Sequence, residues 1–230
     1  GEDQKLYFQQ ISAALDILDY KSPSPIHYSF VLLSDGKMST RNGDVVLLED
    51  FMNEAVNKAL DHMKKNKEKI NEKIAKSIAY GAVKYAILKV GNEKNVTFDW
   101  ESALSFEGDS GPYLQYSYAR INSIFKKYGI ELPTSIDPKQ LKEESEFELV
   151  KELGDFKSVV SKALEESKPN LLANYVYGLT KKFSAFYHEC SVLNAESAEV
   201  KKARLALLDA VRQVIKNCLA LLGIDVVEYM

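Results

Sequence analysis

Cysteine is scarce in this chain: two among 230 residues, Cys190 and Cys218. They lack metal-ligand spacing and the density of a secreted disulfide scaffold, so buried free thiols are expected and no metal site is. No apolar run of about 18 residues and no signal peptide is present, which points to a soluble protein of a reducing compartment, the cytoplasm, with no membrane partner. A charge excess is also missing. The net charge is −3, with 14 Lys plus Arg against 16 Asp plus Glu through residue 108, and 16 against 17 beyond it. That balance argues against a non-specific nucleic-acid binder and against DNA; RNA would have to be held by a local patch. There is no G-x-G-x-x-G or phosphate-loop pattern, no internal repeat and no low-complexity segment.

What is present is a large apolar fraction, 46% of residues, in a chain long enough for one large domain or two small ones. Spacings of three and four predict a helix over 3–19, with Tyr7, Ile11, Ala14 and Leu18 on one face. A turn at 21–25 leads to a short strand over 27–33, and Val45 to Leu48 reads as a second extended piece. Helices follow at about 49–69 and 72–89. The lysine-rich 64–69 between them is either a solvated face or a set of contacts to RNA phosphates. From Pro112 onward four apolar stripes recur. They are Leu114, Tyr118, Ile121 and Phe125; Leu149, Leu153, Phe156, Val160 and Leu164; Leu172, Val176, Leu179, Phe183 and Phe186; and Leu208, Val211, Ile215, Cys218 and Leu222. Four such helices can close one core, with 131–146 as a connecting loop and Gly223 as the stop of the last helix.

The segment Gly36-Lys37-Met38-Ser39-Thr40-Arg41-Asn42-Gly43 carries two cations and two hydroxyls between glycines. Such a loop could fold over a polyphosphate, and equally it makes a good surface turn. On the helix starting near Pro112, Tyr116, Arg120, Ser123 and Lys127 fall on the side turned away from the Leu114 stripe. Rings beside guanidinium groups suit unpaired loop bases, and packing on the helix surface is the alternative.

Several strings, in order, carry a resemblance: Asp3-Gln4-Lys5-Leu6-Tyr7-Phe8-Gln9-Gln10, the Lys37 loop, Val45 to Asp50, Phe98-Asp99-Trp100, and Phe106 to Tyr116. Together they resemble the C-terminal part of the arginyl-tRNA synthetases, class I aminoacyl-tRNA synthetases, over essentially the whole chain. Asp209-Ala210-Val211-Arg212 is similar to the string that names that family's anticodon-binding bundle. The class I His-x-Gly-His pair has no counterpart, since His27, His62 and His188 stand apart, so a fragment is expected that would not aminoacylate alone. The implied fold is mainly α: a helical anticodon-binding bundle at 109–230, preceded at 1–108 by the C-terminal remnant of a Rossmann-type catalytic domain with one or two short strands.

The resemblance also implies roles. In adenylate formation the arginine carboxylate attacks the α-phosphate of ATP and charge builds on the departing pyrophosphate; Lys37 and Ser39 of the KMSK-type loop would stabilise that charge. Thr40 stands where the short KMSK form has its second lysine, and Arg41 would supply that cation. Leu32, Leu33, Lys37, Met38, Ser39 and Arg41 are the implied ATP-binding positions. Gln4 is implied in the arginine pocket, with a helix-terminal residue bonding to its own backbone as the alternative. Tyr113, Tyr116, Arg120, Ser123, Tyr187 and Met230 are implied tRNA contacts. ATP enters as a substrate, with Mg2+ in the full enzyme, and tRNA for arginine is the implied partner; ATP and arginine would bind only together with the N-terminal half. The competing expectation is a non-catalytic RNA-binding or helical assembly module.

Overall fold

The computed structural model describes residues 1–33, 46–65, 71–129, 133 and 135–230. Among them are eight α-helices: α1 (Lys5–Ile17), α2 (Leu48–Lys65), α3 (Glu72–Leu88), α4 (Trp100–Ala103), α5 (Gly111–Tyr128), α6 (Glu144–Glu165), α7 (Pro169–Glu189) and α8 (Ala198–Leu221). Two strands, β1 (Val31–Leu33) and β2 (Val96–Phe98), pair in parallel, Val31 opposite Val96 and Leu33 opposite Phe98. Parallel strands need a crossover, and α2 and α3 supply it.

Two apolar cores form. In the first, Ala55 and Ala59 of α2 meet Ala75 and Ala79 of α3, all buried. One-carbon side chains a turn apart let the two helices approach closely. Phe98 closes this core in an aromatic cluster with Phe51 and Trp100, ring centroids 4.7 to 4.9 Å apart. The second core is the bundle α5 to α8, where the stripes read from the sequence meet: Leu114, Ile121, Leu149, Val176, Leu179, Phe186, Leu208, Val211, Ile215 and Cys218 are all fully buried. Each such aliphatic side chain contributes about 1.5–3 kcal/mol on burial. α3 serves both cores, because its Tyr85 belongs to the bundle.

Some sequence expectations shift. Leu48 opens α2 rather than extending a strand. Of the strand expected over 27–33, the last three residues form the ladder with Val96–Phe98, while the Phe30 carbonyl accepts from Val96 N and Ser29 N donates to the Asn92 carbonyl. Three residues are too few to show an alternating signal, so β2 was not legible. Leu164, expected in the second stripe, lies in the last turn of α6 and is 79% exposed. The connector expected over 131–146 gives way to α6 at Glu144, after a 3-10 turn at Pro138–Gln140.

That early start of α6 has an electrostatic cause. Glu146 is fully buried and its carboxylate accepts from the backbone N–H groups of Lys142 at 2.6 Å and Glu143 at 2.9 Å, capping the helix. Its other oxygen meets Arg204 Nε of α8 at 2.6 Å, and Arg204 also donates to the Ser191 carbonyl. A buried charge pair persists only when its hydrogen bonds are satisfied, as they are here.

The joint between the cores is the run from Glu107 to Pro112. Gly108 takes the left-handed conformation at φ 75°. Asp109 accepts from the Tyr85 hydroxyl at 2.6 Å and pairs with Lys89 at 3.1 Å. Burial first, and then Asp109, hold the Tyr85 phenol well above its ordinary pKa. Ser110 caps α5 by accepting from Tyr113 N, and Pro112 follows in its first turn. At Gly111 an added Cβ would lie 2.5 Å from the Gly81 carbonyl oxygen, so only glycine lets α5 start against α3.

The C-terminal tail ties the same two parts together. Gly223, at φ 68°, ends α8. The tail then runs along α5: the buried Gln115 amide donates to the Asp225 carbonyl at 2.7 Å and to the Ser77 carbonyl of α3 at 3.1 Å. Asn122 donates to the Glu228 carbonyl and carboxylate, and Lys126 meets that carboxylate at 2.8 Å. Val227 is thereby buried in the first core, with Met230 packed against it.

Candidate functional site

Among the described residues, the outer side of α5 and the facing side of α7 bring several sequence-nominated residues together. Arg120 lies with its guanidinium carbon 4.2 Å from the centroid of the Tyr187 ring, a cation–π pair bridging the two helices. Tyr187 rests on Phe183, centroids 5.9 Å apart, and is only partly buried. Periodicity explains the placement: Phe183 and Phe186 point into the core, so Tyr187 falls at its margin and leaves a ring edge accessible.

Tyr113, seven residues before Arg120 and hence two turns along the same face, lies edge-on to Tyr177 of α7, centroids 6.1 Å apart. Burial pushes the Tyr113 phenol up from its ordinary pKa, while hydrogen bonding from Ser184 and the nearby Arg120 charge work against that rise. It therefore stays a neutral hydroxyl. Tyr116 and Ser123 are exposed on α5. Among the described residues Arg120 has no carboxylate partner, in contrast to Arg212, which is held by Asp209 and by Asn122 at 3.1 Å and lies over Phe125. Arg212 and the buried Val211 thus fasten α8 to α5, a structural duty for the string around them. Arg120 keeps its donors available.

Met230 lies elsewhere, packed against the α2–α3 core. Gln4, in the 3-10 turn Glu2–Gln4, is exposed and its amide oxygen accepts from the Gly1 amino group at 3.2 Å. Leu32 sits in β1 opposite Thr97, partly open to solvent, and the backbone of Leu33 pairs opposite Phe98. Lys37, Met38, Ser39, Thr40 and Arg41 lie outside the described residues, as do the side chains of Leu33 and Lys127. Among the described residues no group of three or more His, Cys, Asp or Glu is placed to hold a metal ion. No helix among them is long and apolar enough to cross a membrane.

Sequence reading passed over Tyr177 and Lys181. The Lys181 ammonium lies 5.5 Å from the Tyr177 ring centroid. The signal was the four-residue spacing of 177 and 181 beside, rather than on, the apolar stripe of α7.

Comparison with known proteins adds lineage to this geometry. The model of the DALR anticodon binding domain matches residues 114–230, and that of the class I (R) tRNA synthetase catalytic domain matches residues 1–100. The arginine–tRNA ligase of Clostridium beijerinckii is 45% identical over 235 residues, and that of Clostridium acetobutylicum is 41% identical. Both alignments cover all of this chain and 42% of the relative, so the chain spans well under half the length of these relatives. Among solved structures, the arginyl-tRNA synthetase of Thermus thermophilus superposes with a TM-score of 0.87 at 31% identity, covering 97% of this chain and 39% of that one. The enzyme of Plasmodium falciparum gives 0.78 at 26% identity, over 99% and 40% of the two chains.

Proposed function

Because the chain belongs to the arginyl-tRNA synthetase family, with its DALR anticodon-binding domain and part of its class I catalytic domain, we propose that it serves as the tRNA-holding portion of an arginine–tRNA ligase. That enzyme activates arginine with ATP and transfers it to its tRNA. In this reading residues 109–230 hold the anticodon arm, and residues 1–108 contribute the KMSK-type loop to an active site completed by further polypeptide.

The observation that carries the reading is the Arg120–Tyr187 pair, which among the described residues stands without a carboxylate at the margin of a bundle matched as an anticodon binder. A ring and a planar cation in contact offer an unpaired base a stacking surface and a phosphate two donors. Tyr113 and Tyr116 extend that surface along α5, and Ser123 adds a small hydroxyl. Met230, held on the other core by the tail, would meet the arm from a second side. In the catalytic part, Lys37 and Ser39, with Arg41 beside them, would stabilise charge on departing pyrophosphate. The backbone of Leu32 and Leu33 would face the adenine, and the Gln4 amide would accept from the arginine guanidinium. Mg2+ would arrive with ATP, and no step is assigned to a metal held by this chain.

The test is a titration of the chain with tRNA for arginine and with an unrelated tRNA, at low and moderate salt. Preferential binding of the first is expected. Tyr187→Ala should weaken it by about 1–3 kcal/mol, the usual worth of one base–aromatic stack, with the circular dichroism unchanged. Equal affinity of the two proteins would sink the assignment.

A further inference from the structure

The proposed interface does not end at Arg120 and Tyr187. Along α7 toward its N-terminus, Tyr177 meets Tyr113 of α5 with the two rings at 71° and has the ammonium of Lys181 over its ring. Lys181 is exposed and, among the described residues, has no carboxylate partner. Its neighbour Lys182 is the contrast, since it is bound to Glu148 at 2.9 Å and to Glu152 at 2.7 Å on α6. One cation is spent on holding two helices together. The other is laid along an aromatic ring with its donors facing water.

We infer that Lys181, held in place by Tyr177, binds a backbone phosphate of the RNA strand whose bases stack at Arg120 and Tyr187. Spacing supports this. Lys181 and Tyr187 are six residues apart on one helix, roughly 9 Å along its axis. At about 3.4 Å per stacked nucleotide, the axial rise alone corresponds to about two or three nucleotides, and a strand reaching both side chains also turns about 120° around the helix. The ring–ammonium contact limits the wandering of a side chain that otherwise loses much entropy on binding, so the charge is presented where the strand passes. A phosphate contact positions the strand without reading a base. Lys181 is therefore expected to add affinity without adding preference among tRNAs, while Arg120 and Tyr187 carry the preference. The inference rests on the anticodon-arm reading above and adds to it a direction: the bound strand continues toward the start of α7.

The experiment measures the affinity of the 230-residue chain for transcripts of tRNA for arginine and of an unrelated tRNA across a salt series, for the unchanged protein and for Lys181→Ala, Lys181→Arg, Lys157→Ala and Tyr187→Ala. Lys157 is an exposed lysine on α6, a helix that supplies none of the proposed contacts, and its removal makes the same charge change. Lys181→Ala is expected to weaken binding of all tRNAs alike and to reduce the slope of log affinity against log salt by roughly 0.7 to 1, the signature of one lost phosphate contact. Lys181→Arg should restore the slope and Lys157→Ala should leave it intact. An unchanged slope in Lys181→Ala, with binding still lost in Tyr187→Ala, overturns the phosphate site and leaves the interface standing. A slope reduced as much by Lys157→Ala overturns it as a general charge effect. Failure of the unchanged chain to bind tRNA for arginine overturns both readings together.

Discussion

The bundle and the N-terminal region differ in what they do with apolar surface. In α5 to α8 the stripes close on one another, and Leu114, Leu179, Leu208 and Ile215 are fully buried. In α1 no residue is buried, and Leu6, Tyr7 and Ile17, with Leu18 just past its end, are between 58 and 85% exposed. Both segments are amphipathic by sequence, so the contrast lies in partners. A two-stranded sheet offers too little surface to cover a helix face and is marginal by itself. The chain matches only 42% of the length of its ligase relatives, and in those proteins further polypeptide is available to cover that face. The bundle instead closes its apolar stripes on one another, with Tyr85 of α3 completing the core.

The contrast can be broken at its strongest point first. Arg204→Ala would leave Glu146 buried without its counter-charge, and the cost is expected at about 3–5 kcal/mol, read as a lower midpoint in urea unfolding. Pairing it with Glu146→Leu should recover part of that loss. A shift below about 1 kcal/mol in the single variant would mean that the bundle is not locked by this pair.

A paired truncation sharpens the comparison. Leu208→Ala, at a fully buried position, is expected to cost about 2–5 kcal/mol through the cavity it opens. Ile17→Ala in α1, at a position 85% exposed, should stay within about 0.5 kcal/mol. Similar losses in the two proteins would show that α1 is packed in solution, against the contrast drawn here.

The smallest effect concerns the tail that joins the two regions. The hydrogen bond from Lys126 first, and then that from Asn122, hold the Glu228 carboxyl below the ordinary glutamate range. A depressed carboxylate contributes stability that is fully present above its unfolded pKa and is lost as pH falls through the lower, folded value. Amide exchange of residues 225–230 should therefore accelerate in acid below the usual glutamate range, while the α8 core amides stay protected. An exchange rate in the tail that tracks only the intrinsic acid dependence would show that Glu228 does not anchor it.

Much of the bundle was legible because its helices are long and each repeats its apolar spacing over several turns. Leu114 to Phe125 and Leu208 to Leu222 were identified residue by residue, as was the stop at Gly223. What was not legible depended on distant partners. Three residues at Val96–Phe98 became a strand because Val31–Leu33 lies alongside. Glu146 looked like one more charge in a polar connector and is instead a buried cap, because Arg204, 58 positions later, reaches it. In the candidate interface, periodicity singled out Arg120 on α5 while the resemblance implied Tyr187, and their contact required α5 and α7 to be docked. Tyr177 and Lys181 went unnoticed because a tyrosine four residues before a lysine has many uses, and only the approach of Tyr113 gives this one a direction.

By itself the sequence determined the helical character, the apolar faces, the free and buried state of Cys190 and Cys218, and the lineage, since these rest on local spacing and on strings of neighbouring residues. Only the tertiary structure decided which cations are consumed in holding the protein together and which remain for a partner. Arg204 and Lys182 carry the same charge as Arg120 and Lys181, and what separates them, among the described residues, is the presence of a carboxylate from another helix within about 3 Å, a property of the packed chain that no local pattern encodes.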